Sequence, residues 1–152
     1  GLSESQFKSI IVLPDLNLQK LRIWWNETND LEAKSRAQSV RKELEQGAAF
    51  AQLARVYSQD EESKYIGGDL GFVSREEMPP WISDQVFNLQ LNEISEVVTS
   101  TEGFVILKMV ALDENQDPPL RQARWILFKG SEIENFLEQQ KQNYRVLVFR
   151  DL

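Results

Sequence analysis

An α+β fold built on an antiparallel sheet is predicted for these 152 residues by three features. Short β-branched runs lie on both sides of two helix-patterned stretches. A Gly-rich turn separates those helices from a third. Two apolar runs joined by Ser100-Thr101-Glu102-Gly103 are close enough to pair as a hairpin. The expected order is β-α-α-β-α-β-β, followed by a C-terminal strand-helix-strand appendage.

The first element is Phe7 to Leu13, FKSIIVL, which reads as a buried opening strand stopped by Pro14. Asp15 to Asp30 reads as a connection, yet Leu16, Leu18, Leu21, Ile23, Trp24 and Trp25 make it unusually apolar. These side chains either fold back to enlarge the core or form a flap that offers Trp24 and Trp25 to a partner. Folding back is favoured, because Trp is highly buried on average. Leu31 to Gln46 is expected to be helical: Asn29 and Glu32 have capping-box spacing, Ala33, Ala37, Val40 and Leu44 recur at the helical period, and Gly47 supplies the stop. A shorter helix from Ala49 to Tyr57 places Phe50, Leu53, Ala54 and Tyr57 on one side. Ser58 to Ile66 is polar and is expected to be an exposed connection. It leads into Gly67-Gly68-Asp69-Leu70-Gly71, where the glycines point to backbone angles or close approaches that a side chain would block.

Leu70 to Val73 supplies a short strand, and Pro79-Pro80 opens a helix carrying Ile82, Val86 and Phe87. Ile94 to Thr99 and Gly103 to Leu112 are the hairpin strands. Asp113 to Pro119, DENQDPP, reads as a linker dividing a domain of residues 1–112 from a segment of residues 120–152. In that segment Ala123 to Lys129 reads as a strand and Ser131 with Glu134 as a capping box. Ile133, Phe136, Leu137, Gln140 and Tyr144 form a helix stripe, and Arg145 to Phe149 a final strand. So short a segment buries little alone and is expected to dock on the main domain, on another chain, or on a segment beyond those given.

Composition narrows the chemistry. Seventeen Lys and Arg stand against 24 Asp and Glu, a net charge of −7, with no basic stripe to hold phosphates, so nucleic acid is not an expected partner. With no His and no Cys, imidazole bases, thiol nucleophiles, Ser-His-Asp triads and structural zinc sites are excluded. No apolar run approaches the ~20 residues that span a bilayer, and membrane insertion is not expected.

Gly47 through Met109 contains FAQLARVYSQDEES, GGDLGFVSREEMPP, VF and ISEVVTSTEGFVILKM. With Phe7 to Leu13 as opening strand, this combination resembles the parvulin family of peptidyl-prolyl cis-trans isomerases (rotamases), especially its SurA-like and PrsA-like extracytoplasmic folding factors. The resemblance implies a four-stranded antiparallel sheet surrounded by helices, no cofactor, unfolded or extended polypeptide as client, and an extracytoplasmic setting. The tail is similar to segments that help build a separate chaperone core, which implies a further region before Gly1.

Carried over by position, the resemblance puts Ser9 and Val105 where active parvulins carry two histidines. Asp60 matches the acidic or thiol position before the Gly turn, and Ser100 falls near the hydroxyl position before the final strand's Gly; these are the candidate catalytic groups. Met78 matches the pocket methionine, Ile82 the pocket aromatic with Trp81 beside it, and Phe87 the apolar position on the following helix; these are the candidate substrate-binding groups. Plain structural readings stand beside each. Met78, Ile82 and Phe87 have the spacing of a helix packed on a sheet. Asp60 begins a solvated acidic run, Asp69 suits a turn, and Ser9 and Ser100 suit a strand and a turn. The basic cluster of phosphate-directed parvulins has only Lys20 and Arg22 as a counterpart, a weak basis for phosphate recognition.

Rotation about an X-Pro bond faces a barrier of ~18–20 kcal/mol and needs neither nucleophile nor metal. Acceleration requires tighter binding of the twisted amide than of the planar one. Val105 offers no side-chain donor or acceptor for that purpose. The expected function is therefore a folding factor that binds extended or proline-containing polypeptide with weak or no turnover. The alternatives are an active isomerase, and a structural assembly module contacting a partner through Trp24, Trp25 and the C-terminal segment.

Overall fold

The two faces of one antiparallel sheet organise the chain. The structure, a computed structural model, describes residues 16–131 and 133. Among the described residues three helices come first, α1 (Leu16–Asn29), α2 (Leu31–Glu45) and α3 (Phe50–Tyr57), followed by a short 3-10 turn, Lys64–Ile66. Then come β1 (Asp69–Val73), α4 (Pro80–Asn88), β2 (Val98–Thr99), β3 (Gly103–Asp113) and β4 (Leu120–Lys129). The strand order is β1-β4-β3-β2, with every pair antiparallel.

Alternation along β3 and β4 builds two cores. Phe104, Ile106, Ile126 and Phe128 pack with Ala33, Ala37, Val40 and Leu44 of α2 and Phe50, Leu53 and Ala54 of α3. Val105, Leu107, Met109, Ala123 and Leu127 pack with Met78, and with Ile82 and Val86 of α4. Both strands are thus apolar on two faces, as inner strands covered on both sides must be. Ala37 is fully buried where α2 meets the sheet. Ala37→Leu is expected to cost about 1–3 kcal/mol by overpacking, read as a lowered urea midpoint; an unchanged midpoint would mean the helix can slide to make room.

Four antiparallel strands wrapped by helices form, but β4 is one of them. The strand expected at Ala123 to Lys129 is an inner strand of the main sheet and is not part of a separate appendage, which corrects the predicted strand-helix-strand tail. The polar stretch after Asp113 is the connection of the β3–β4 hairpin, in which Asp113 pairs with Leu120 and Gly103 with Lys129. Phe7 to Leu13, the helix expected after Ser131 apart from Ile133, and Arg145 to Phe149 lie outside the described residues.

Other expectations shift for local reasons. The apolar connection of Asp15 to Asp30 is mostly the helix α1, with Leu21 and Asn26 buried and Trp24 and Trp25 half-buried. The Asn29–Glu32 capping box does not form. Asn29 Nδ2 donates back to the Trp25 carbonyl (3.1 Å), and Asp30, the N-cap residue, accepts the Ser131 N–H through Oδ1 (2.9 Å). Only Val98–Thr99 of the Ile94 to Thr99 run is a ladder strand, with Ile94 making an isolated bridge to Lys108. Tyr57, placed on the same side of its helix as Phe50, Leu53 and Ala54, is exposed where those three are buried.

Candidate functional site

The site grows from the junction of α3, the Gly turn and β4. Ser58 to Ile66 is not simply an exposed connection: Ser58 and Ser63 are buried. The Gln59 N–H donates to the Leu127 carbonyl (2.8 Å), and the Leu127 N–H donates to Ser58 Oγ (3.2 Å). This docks Asp60 beside β4. On the other side the Trp125 N–H donates to the Gly68 carbonyl (2.9 Å). Gly68 has φ +77°, and a Cβ there would collide with the Trp125 carbonyl. The Gly pair therefore permits the close backbone approach that brings Trp125 to Asp60.

Trp125 Nε1–H donates to Asp60 Oδ2 (2.8 Å) and lies 2.9 Å from Ser63 Oγ. The same carboxylate oxygen accepts the Ser63 N–H (3.1 Å) and the Ser63 hydroxyl. Partial burial alone would raise the Asp60 pKa. The donors from Ser63, Trp125 and the Glu62 backbone outweigh it and hold the carboxyl below its usual value. Asp60 is thus an anion at neutral pH with its inner oxygen already engaged. Asp69 serves the turn as expected, Oδ1 accepting the Gly71 N–H (2.9 Å), and it also reaches β4 through Gln122 and Arg124.

The apolar candidates come together on one sheet face. Met78, Ile82 and Val105 are buried in the same cluster, against which the partly buried Trp81, Phe87 and Trp125 pack. Met78 and Ile82 are buried, while Trp81 and Phe87, like Trp125, keep part of their surface accessible. Ser100 is not part of this group. Its Oγ accepts the Glu102 N–H (3.1 Å), and its carbonyl accepts Asn26 Nδ2 from α1 (2.8 Å), so it is committed to the β2–β3 turn. Ser9 lies outside the described residues. Among the described residues no group of three or more acidic side chains is placed to hold a metal ion, and no helix is long and apolar enough to cross a membrane.

The residue missed by sequence reasoning is Trp125. Its signal was present: Arg124-Trp125-Ile126-Leu127-Phe128 repeats the pattern of Lys8-Ser9-Ile10-Ile11-Val12. Trp125 stands before its aliphatic run as Ser9 stands before its own, the place that the family resemblance gives to an imidazole.

The family model "Rotamase: PPIC-type PPIASE domain" matches residues 17–111, which leaves β4 outside the match. Foldase protein PrsA 1 of Bacillus cereus is 39% identical over 80 residues, covering 53% of this chain and 28% of that protein. Chaperone SurA of Chromohalobacter salexigens is 31% identical over 133 residues, 75% of this chain and 31% of that protein. The crystal structure of PrsA from Bacillus subtilis superposes with a TM-score of 0.46 at 25% identity, over 72% of this chain and 36% of that one. The chain spans about three tenths of the length of the curated relatives it matches.

Proposed function

We propose, from the premise that this chain belongs to the PPIC-type PPIase (rotamase) family, that it is a protein-folding factor holding extended, proline-containing polypeptide outside the cytoplasm, with little or no isomerase turnover. The client lies across Trp81 and Phe87, above the buried Met78 and Ile82. The observation that carries this reading is the Asp60–Trp125 bond. The carboxylate is engaged by an indole and by Ser63, and Val105 adds no polar group. Nothing in that arrangement binds a twisted amide better than a planar one, so the face offers affinity without differential stabilisation. Ser100 contributes to the turn, and Asp60 fixes the geometry of the rim. The Trp24 and Trp25 side of α1, where both indoles are half-buried, is the surface we assign to partner contact.

The test pairs a prolyl isomerisation assay on X-Pro peptides with suppression of aggregation of an unfolded protein. Slowed aggregation beside isomerisation at the spontaneous rate is expected. Turnover well above that rate, lost in Met78→Ala, would replace this reading with that of an active isomerase.

A further inference from the structure

Two arginines that the family resemblance did not single out meet at the accessible ring of the candidate client face. Arg75, in the β1–α4 connection, places its guanidinium carbon 4.7 Å from the centroid of Phe87, and Arg121, near the start of β4, places its own 5.1 Å away. Each is held by a carboxylate more exposed than itself. Arg75 pairs with Asp84, their side chains 48% and 74% exposed, and Arg121 pairs with Glu114 at 2.7 Å, 14% and 61% exposed. Ion pairs with such exposed acids are weak and readily exchanged. Arg121 is also incompletely satisfied, since its Nε–H is buried without an acceptor; drawing the head outward toward a new acceptor would relieve that orphan.

We propose that Arg75 and Arg121 form a cationic clamp around Phe87 that selects client segments carrying Asp or Glu beside the proline or other apolar residue seated on that ring. The clamp names the preferred client for the face described above, and so rests on that reading. A carboxylate arriving at the ring exchanges with Asp84 or Glu114 and gains a planar, fork-shaped donor set. The apolar neighbour supplies contact with Phe87 and Trp81. The chain's net charge of −7 makes the preference diagnostic: the overall field repels acidic peptides, so tighter binding of one has to come from local cations.

The experiment measures anisotropy of labelled octapeptides that differ only in the residue before proline, Glu, Gln or Lys, against the chain and its Arg75→Gln, Arg121→Gln and doubly substituted forms. The Glu peptide is expected to bind about 5- to 10-fold tighter than the Lys peptide at low ionic strength, the ratio falling toward one at 0.5 M salt. In the double variant the Glu-to-Lys ratio, taken within that variant so that any general loss of affinity cancels, falls likewise toward one, which a merely structural role for the arginines would not produce. Arg121→Lys controls for folding and should keep part of the ratio. Equal binding of the three peptides would overturn the clamp and leave the client face standing. Binding of none would overturn both.

Discussion

Replacing Trp125 with alanine is expected to lower the unfolding free energy by about 3 kcal/mol, because the indole packs against the buried apolar cluster and ties Asp60 to β4. Trp125→Phe separates the two contributions. It keeps most of the packing and deletes only the Nε1–H donor, at a cost of about 1 kcal/mol or slightly more. The pH dependence identifies that donor. The Asp60 carboxyl is held below its unfolded value of 3.8, so its contribution to stability is fully present above about pH 4 to 5 and is lost as pH falls through the folded value. In Trp125→Phe one of the groups holding the carboxyl down is gone. The stability gap to the parent should therefore be widest near neutrality and narrow in acid. Urea unfolding between pH 3 and 7 reads this directly, and a gap independent of pH would show that the indole acts through packing alone.

Gly68→Ala is the second large effect. Its backbone has φ +77°, and the new Cβ would meet the carbonyl of Trp125, a backbone atom in an inner strand that cannot rotate away. A loss of at least about 2 kcal/mol is expected. Gly71→Ala is the internal control: φ is +71° but nothing lies within 4 Å of the added carbon, so only the left-handed strain of about 1–2 kcal/mol remains. The thermal midpoint of the Gly68 variant should fall clearly further than that of the Gly71 variant. Equal losses would mean that the close approach to β4 is not what the glycine is needed for.

Part of the site was legible because it rests on local pattern. The GGDLG turn announced positive backbone angles, and Gly67, Gly68 and Gly71 have them. Helical spacing placed Ala33, Ala37, Val40 and Leu44 in the core, where they are. The run from Met78 to Phe87 was assigned to one apolar face, and those side chains do gather on one side of the sheet. Ser100 and Trp125 were not legible in the same way. A hydroxyl before a Gly strand looks the same whether it caps a turn or faces a site. Trp125 shares with Ser9 the place before an aliphatic run, and local pattern leaves open which of the two runs enters the sheet as its inner strand.

Sequence by itself determined the helices α2, α3 and α4, the Gly turn and the pairing of β2 with β3, because periodicity, turn residues and a short connection act within about a dozen residues; α1, read as a connection, was not among them. It also determined which chemistries are closed to this chain, since a protein without His or Cys cannot use them. Only the tertiary structure decided which strand sits between β1 and β3. Two stretches, Phe7 to Leu13 and Ala123 to Lys129, have an inner strand's character, and choosing between them is a matter of long-range pairing and of burying both faces at once. That placement of β4 sets Trp125 against Asp60 and brings Arg121 to Phe87. The character of the face follows from contacts between residues 65 and 34 positions apart in the chain, which no local pattern records.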